Sequence, residues 1–112
     1  MQISNIHPVI ESTYFDTQFL ILIESHLTYL RKSDGLRVIS VSEHQGYKYE
    51  GDFFGLLDDL NVEKKYHHIV MRVNGLDSSA DFKGDLDHVL LPSLSEIDML
   101  KSILQTSTET SD

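Results

Sequence analysis

Apolar residues in the first part of the chain recur with a helical period. Spacings of three and four residues place Phe15, Phe19, Leu22, Ile23, Leu27 and Leu30 on one face. Thr13 with Asp16 suits the start of this helix, and Asp34-Gly35 suits its end. Leu20 and Ile21 add apolar surface on a second side, so we expect this helix to be covered on more than one face.

Three short segments favour β-strands. Segment 36–41 is rich in β-branched residues and follows a turn signal, and segment 89–91 is apolar and precedes Pro92, which ends a strand because it has no N–H to donate. Tyr47 and Tyr49 alternate around a lysine, which is compatible with a further short strand.

Three more helices are predicted in the second half. Asp52 can cap a helix over 53–60, and a second helix over 63–73 ends at Asn74-Gly75, residues that tolerate the left-handed conformation. A polar loop with one apolar ring, Phe82, follows. Ser93 and Glu96 form a capping-box pattern that opens a last helix with apolar residues from Leu94 to Leu104.

Five motifs between residues 46 and 92 occur in a recognisable order: Gly51-Asp52, Val62, Asn74-Gly75-Leu76, Phe82-Lys83-Gly84-Asp85 and Val89-Leu90-Leu91-Pro92. This order resembles the LysM family, in which a strand, two helices and a second strand form a small βααβ module. The resemblance implies that Tyr47–Gly51 is the first strand. The predicted fold class is therefore α+β: a LysM-like βααβ core with an added N-terminal helix, a candidate extra strand and a C-terminal helix.

The same signals divide the chain into five parts. They are an extended N-terminal arm (1–12), a helix-plus-strand extension (13–45), the LysM-like module (46–92), a C-terminal helix (93–104) and a polar tail predicted to be disordered (105–112).

Charge and composition exclude several functions. The formal net charge is −9, from 18 acidic and 9 basic residues, and such a field repels nucleic acid and anionic membranes. Cysteine is absent, which excludes disulfides and thiolate chemistry. No run approaches the roughly 20 apolar residues of a membrane span, and Met1–Pro8 lacks the features of an export signal. We therefore predict neither a nucleic-acid nor a membrane partner.

The residues do not form a recognisable catalytic or metal motif. His67 and His68 are adjacent, so on a helix they point about 100° apart and do not readily share one ion. A site from His68, His88 and an aspartate would require folding to bring them together. Asp58-Asp59 and Asp85/Asp87 are paired carboxylates without a glycosidase or calcium context. We predict no enzyme, no cofactor and no metal.

The LysM resemblance implies a candidate carbohydrate groove. In the family, chains of N-acetylglucosamine lie between the loop after the first strand and the loop after the second helix. Carried over to this chain, the groove comprises Asp52, Phe53, Leu76, Asp77, Ser78 and Ser79. The alternative interpretation of these residues is a helix cap, a helix stop and an ordinary polar loop.

LysM-like modules also occur as packing units in the baseplates of contractile-tailed phages. The added helices and arm fit that use, although they could equally complete a larger monomer core. Candidate partner contacts are Ile3, Ile6, Val9, Ile10, Tyr14, Leu20 and Ile21.

The predicted function is therefore a structural, non-catalytic virion protein of a phage tail or baseplate, made in the host cytoplasm and bound to other virion proteins. The alternative is a carbohydrate-binding LysM module that recognises peptidoglycan or another N-acetylglucosamine polymer. A small regulatory or adaptor protein of a bacterial host is a third class.

Overall fold

Helices and a two-stranded antiparallel sheet make up the part of the chain that the structure describes. The computed structural model describes residues 17–110, with side chains described as far as residue 104. The elements in chain order are α1 (Thr17–Ser25), α2 (Leu27–Lys32), β1 (Arg37–Ser40), α3 (Glu43–Lys48), α4 (Phe53–Asp59), a 3-10 turn (Lys64–Tyr66), α5 (His67–Val73), a second 3-10 turn (Ser79–Asp81), β2 (His88–Leu91) and α6 (Leu94–Thr110). The predicted α+β class is confirmed.

The sheet pairs the two segments that were predicted as strands on either side of the central helices. β1 runs antiparallel to β2, with Arg37 opposite Leu91 and Ser40 opposite His88. The segment predicted as the first strand of the module, Tyr47–Gly51, is not a strand, and that prediction is wrong. Segment 36–41, predicted as a strand outside the module, contains β1, and β1 is the partner of β2 instead.

Residues 43–48 form helix α3 because their first turn is capped. Ser42 Oγ accepts a hydrogen bond from the Gln45 backbone N–H at 3.1 Å, and Gln45 Oε1 accepts one from the Ser42 N–H at 3.1 Å. This capping box stabilises a helix over a segment whose tyrosines alternate like those of a strand. Gly46 faces inward on α3, where an added Cβ would lie 2.4 Å from the Gly84 carbonyl oxygen.

The two central helices follow the prediction. Asp52 Oδ1 accepts a hydrogen bond from the Gly55 N–H at 3.0 Å and caps α4. After α4, Asn61 takes a left-handed conformation, with φ of 65°, and reverses the chain. Gly75, with φ of 84°, ends α5 as expected of an Asn-Gly helix stop.

The first predicted helix is divided in two at His26. The His26 ring lies 2.8 Å from the Leu22 carbonyl oxygen through Nδ1, and α2 starts at the next residue. Because a carbonyl oxygen only accepts, this contact uses an imidazole N–H where a helical backbone N–H would otherwise bind. The predicted start at Thr13 and Asp16 lies outside the described residues.

One hydrophobic core joins the segment 46–92 to the flanking helices. Phe19, Ile23 and Leu30 from α1 and α2, and Ile97 from α6, are buried in the same cluster as Leu56 and Ile69. Burial of each such side chain contributes roughly 1.5–3 kcal/mol relative to exposure. The flanking helices therefore complete the monomer core with their inner faces.

Helix α6 continues beyond its predicted end at Leu104 as far as Thr110. This differs from the prediction of a disordered tail that begins at residue 105. Residues 111 and 112 lie outside the described range.

Candidate functional site

The two loops of the predicted carbohydrate groove do lie together. The backbone N–H of Phe54, in the first turn of α4, donates a hydrogen bond to Ser79 Oγ at 3.0 Å. The 3-10 turn that contains Ser79 packs against α4. The structure therefore brings the Asp52 end of α4 and the loop after α5 to one place.

The side chains at this junction are largely engaged within the protein. Phe53 is fully buried, and its ring packs edge-on against Phe82 at a centroid distance of 5.5 Å. Phe53, a member of the candidate carbohydrate groove, is therefore not available to contact a ligand. Asp77 Oδ1 accepts a hydrogen bond from Arg72 Nη1 at 2.6 Å, and Leu76 is half-buried against the core. Ser78 and Asp52 are exposed.

Arg72 organises the same loop and ties it to α1. Its guanidinium binds Glu24 through two hydrogen bonds, of 2.5 and 3.0 Å, and it also donates to the Leu76 carbonyl oxygen at 2.9 Å. The hydrogen bond from Arg72 lowers the pKa of Glu24 from its ordinary value, and the bond to Glu24 raises the pKa of Arg72. Arg72 therefore has a structural role, holding α1 and the 76–77 loop against α5.

The predicted partner surface is described only in part. Five of the candidate partner contacts lie outside the described residues: Ile3, Ile6, Val9, Ile10 and Tyr14.

Leu20 is half-buried, whereas the side chain of Ile21 is 63% exposed. Three further large apolar residues are exposed on the two helices that contact α1: Tyr29 (45%) on α2, and Met99 (45%) and Ile103 (51%) on α6. We call these four residues the outer helical surface. Ile103 was predicted on the apolar side of α6 but points outward.

The helices that carry the outer helical surface are joined to one another. α1 packs against both α2 and α6, and Tyr29 Oη donates a hydrogen bond to Glu96 Oε2 at 2.6 Å. This bond raises the pKa of the Tyr29 phenol, because deprotonation would place a second negative charge beside the carboxylate. The exposed apolar side chains thus stand on one connected layer of helices.

A cleft of about 420 Å³ opens between α4 and the start of α5. It is lined by Phe54, Asp58, Lys64, His67 and His68, and we call it the α4–α5 cleft. The Phe54 and His67 rings lie 5.5 Å apart between centroids, with their planes tilted by 38°. Both belong to helices that the sequence predicted, but the juxtaposition of their side chains was not foreseen.

His67 is fixed in one orientation by its surroundings. The ring is buried, and Nε2 lies 2.7 Å from the Val62 carbonyl oxygen, so Nε2 carries the hydrogen of this bond. Asp58 Oδ1 lies 3.6 Å from the same nitrogen. The His67 ring is buried because it fills the bend between α4 and α5.

Within residues 17–110, no three histidine, aspartate or glutamate side chains are grouped so that they could hold a metal ion. His68 lines the α4–α5 cleft, whereas His88 is exposed on β2 and bonded to Asp87 at 2.6 Å. Asp85 and Asp87 line a separate cleft of about 390 Å³ beside Tyr47 and Lys83. Of the helices in the described range, none has the length and apolar character needed to cross a bilayer.

Comparisons with protein-family models, with curated proteins and with solved structures found no match to this chain.

Proposed function

We propose that this protein is a structural, non-catalytic component of a phage tail or baseplate and acts through contacts with other virion proteins. The observation that carries the proposal is the outer helical surface. Its four large apolar side chains, each at least 45% exposed, stand on helices that pack against one another. Single exposed apolar residues are ordinary on a monomer, whereas apolar residues collected on one layer are typical of protein interfaces.

The position of this surface within the fold supports the same proposal. α1, α2 and α6 lie outside the segment that resembles a LysM module, and their inner faces already complete the core. Stability therefore does not explain Ile21 or Ile103 on their outer faces. Association with a neighbouring subunit would remove both side chains from water and contribute roughly 25 cal/mol for each Å² of apolar surface buried.

Incorporation into purified particles tests the proposal. We expect mass spectrometry to find the protein in tail or baseplate particles, and Ile21→Asp with Ile103→Asp to prevent its incorporation. Ser102→Asp on α6 and Thr17→Asp on α1 are matched controls, since they add the same charge at exposed polar positions on the same two helices. All variants should melt within a few degrees of the wild type, because none of these positions is buried. Absence from particles, or incorporation of the isoleucine variants at the wild-type level, would contradict the proposal.

The arm provides a second test of the proposed assembly role. Deletion of residues 1–10 should prevent co-assembly and leave the melting temperature nearly unchanged. A large loss of stability would instead assign the arm to the core of the monomer.

Carbohydrate binding is the second proposal, and one contact favours it. The hydrogen bond between the Phe54 N–H and Ser79 Oγ places the two loops of the family's groove side by side. An NMR titration with N-acetylglucosamine oligomers tests it. Saturable shifts confined to residues 52–54 and 76–79 would identify a wall-binding module. If no signal shifts at millimolar ligand, assembly is left as the only proposed function.

A further inference from the structure

The α4–α5 cleft combines an aromatic base with walls of opposite charge. Phe54 and Asp58 are four residues apart on α4 and therefore share one of its faces. Lys64 and His67 are three residues apart across the 3-10 turn and the start of α5. The tilted pair of Phe54 and His67 rings joins the two walls, and the half-buried Phe54 ring is the aromatic surface open to a ligand, since His67 is buried.

Lys64 is a cation without an ion-pair partner among the described residues. Its neighbour Lys65 lies 4.0 Å from Glu63, but no carboxylate of the described range lies within ion-pair distance of Lys64. The side chain of Lys64 is exposed and lines the cleft beside Phe54 and His67. Lys64 is therefore available to form an ion pair with an anionic group of a ligand.

Asp58 supplies the opposite charge from the other wall. Its side chain is 53% exposed and touches only the edge of His67 among the ionisable groups of the cleft. The remaining member, His68, is half-buried, and burial together with the nearby Arg72 lowers its pKa. The cleft thus presents one positive and one negative group around aromatic surface.

We propose that the α4–α5 cleft binds a small zwitterionic molecule with an aromatic ring, of the aromatic α-amino acid class. The ring packs on Phe54, the ligand carboxylate faces Lys64, and the ligand ammonium group faces Asp58. The cleft volume of about 420 Å³ lies within the range of small-molecule sites, roughly 300–1,000 Å³. This site is separate from the outer helical surface, so its test is independent of the assembly role.

An NMR titration of the full chain with L-tryptophan tests the proposal. We expect saturable amide shifts at residues 54, 58, 64, 67 and 68. Tryptamine lacks the carboxylate and indole-3-propionate lacks the ammonium group, so each should bind roughly 2- to 5-fold more weakly, as expected for the loss of one exposed ion pair. Uncharged indole should bind more weakly than both.

Two charge-removing variants assign the ligand charges to the walls. Lys64→Gln should weaken L-tryptophan and indole-3-propionate and leave tryptamine unchanged, whereas Asp58→Asn should weaken L-tryptophan and tryptamine and leave indole-3-propionate unchanged. Lys83→Gln and Asp85→Asn, which lie at the separate cleft, are the controls and should change none of the affinities.

Three results would overturn the proposal. The first is the absence of saturable shifts at these residues up to about 10 mM L-tryptophan. The second is equal binding of indole and L-tryptophan. The third is that neither variant changes the affinities. Circular dichroism of each variant establishes that its fold is intact.

Discussion

The side chain of Asn74 closes the free edge of the sheet, and its replacement by alanine should be costly. Asn74 Nδ2 donates to the carbonyl oxygens of Val70 and Leu90, at 2.7 and 2.9 Å, and Asn74 Oδ1 accepts from the Leu90 N–H at 2.8 Å. Leu90 is opposite Val38 in the two-stranded sheet. Since the N–H and C=O of Leu90 both point to Asn74, they point away from β1, and the Asn74 amide takes the place of a third strand.

The expected loss for Asn74→Ala is about 2–4 kcal/mol. Each of the three hydrogen bonds contributes roughly 0.5–1.5 kcal/mol net, and removal of the amide leaves half-buried backbone groups of β2 without that partner. Total stability of a domain this size is about 5–15 kcal/mol. Urea unfolding followed by far-ultraviolet circular dichroism measures the change, which is convenient because the chain has no tryptophan.

A matched control and a charged variant sharpen this test. Ser78→Ala removes an exposed hydroxyl and should change the free energy of unfolding by less than about 0.5 kcal/mol. Asn74→Asp keeps an acceptor for Leu90 but turns a carboxylate toward two carbonyl oxygens, so it should cost more than alanine at pH 7.

The pH dependence of Asn74→Asp has a definite sign. The surrounding carbonyl oxygens favour the protonated acid, so the pKa of the new carboxyl is raised in the folded state. Its neutral form then restores one donor below the unfolded pKa, and this stabilisation is lost as pH rises through the folded pKa. The deficit relative to wild type should therefore shrink on acidification. If Asn74→Ala lowered the free energy of unfolding by less than about 1 kcal/mol, water would be shown to replace the amide, and the reasoning would be refuted.

The remaining predictions concern two glycines and one ion-pair network, each measured by the same unfolding assay. Gly46→Ala should destabilise by about 1–3 kcal/mol, because the new Cβ would overlap the Gly84 carbonyl oxygen. In Gly75→Ala the new Cβ meets no neighbouring atom, but alanine is strained at a φ of +84°, so the loss of stability should be smaller, roughly 1–2 kcal/mol. A larger loss for Gly75→Ala than for Gly46→Ala would contradict this geometry. Arg72→Lys should lower the free energy of unfolding by less than about 1 kcal/mol, because the side chain of Glu24 is 44% exposed and solvent screens the ion pair. Since the folded pKa of Glu24 is lowered, the Arg72 contribution is present above the ordinary carboxyl pKa and should fade as pH falls below roughly 4. If the stability difference between Arg72→Lys and the wild type were unchanged at low pH, the assigned role of the Glu24–Arg72 ion pair would be refuted.

Two local sequence signals conflict in the segment that forms helix α3. Ser42 and Gln45 have the same capping-box spacing that correctly predicted the start of α6 at Ser93 and Glu96. The alternation of Tyr47 and Tyr49 favoured a strand instead. In the structure Tyr47 is exposed and Tyr49 half-buried, which a short helix achieves as well as a strand does. The cap decides between them because it satisfies backbone N–H groups that a strand would pair elsewhere.

Strand pairing and the α4–α5 cleft could not be read from local patterns. Periodicity identified β1 and β2 as strands but not as partners, because pairing depends on how the intervening helices pack. Phe54 and His67 were likewise placed on predicted helices, yet their contact depends on the chain reversal at Asn61, whose angle no residue pattern specifies. Resemblance to a family transfers the order of elements more readily than the surfaces between them.

The first turn of α4 illustrates how that difference affects the proposed functions. Phe53 and Phe54 are adjacent, so their side chains point about 100° apart. Phe53 enters the core against Phe82, and Phe54 lines the α4–α5 cleft while its backbone binds Ser79. The Phe54 ring therefore faces a different side of α4 from the predicted carbohydrate groove. A carbohydrate bound at Ser79 would have to use the exposed backbone and hydroxyls of that loop, whereas an aromatic ligand would contact Phe54, so shifts at Ser78 and at His68 distinguish the two ligands in one spectrum.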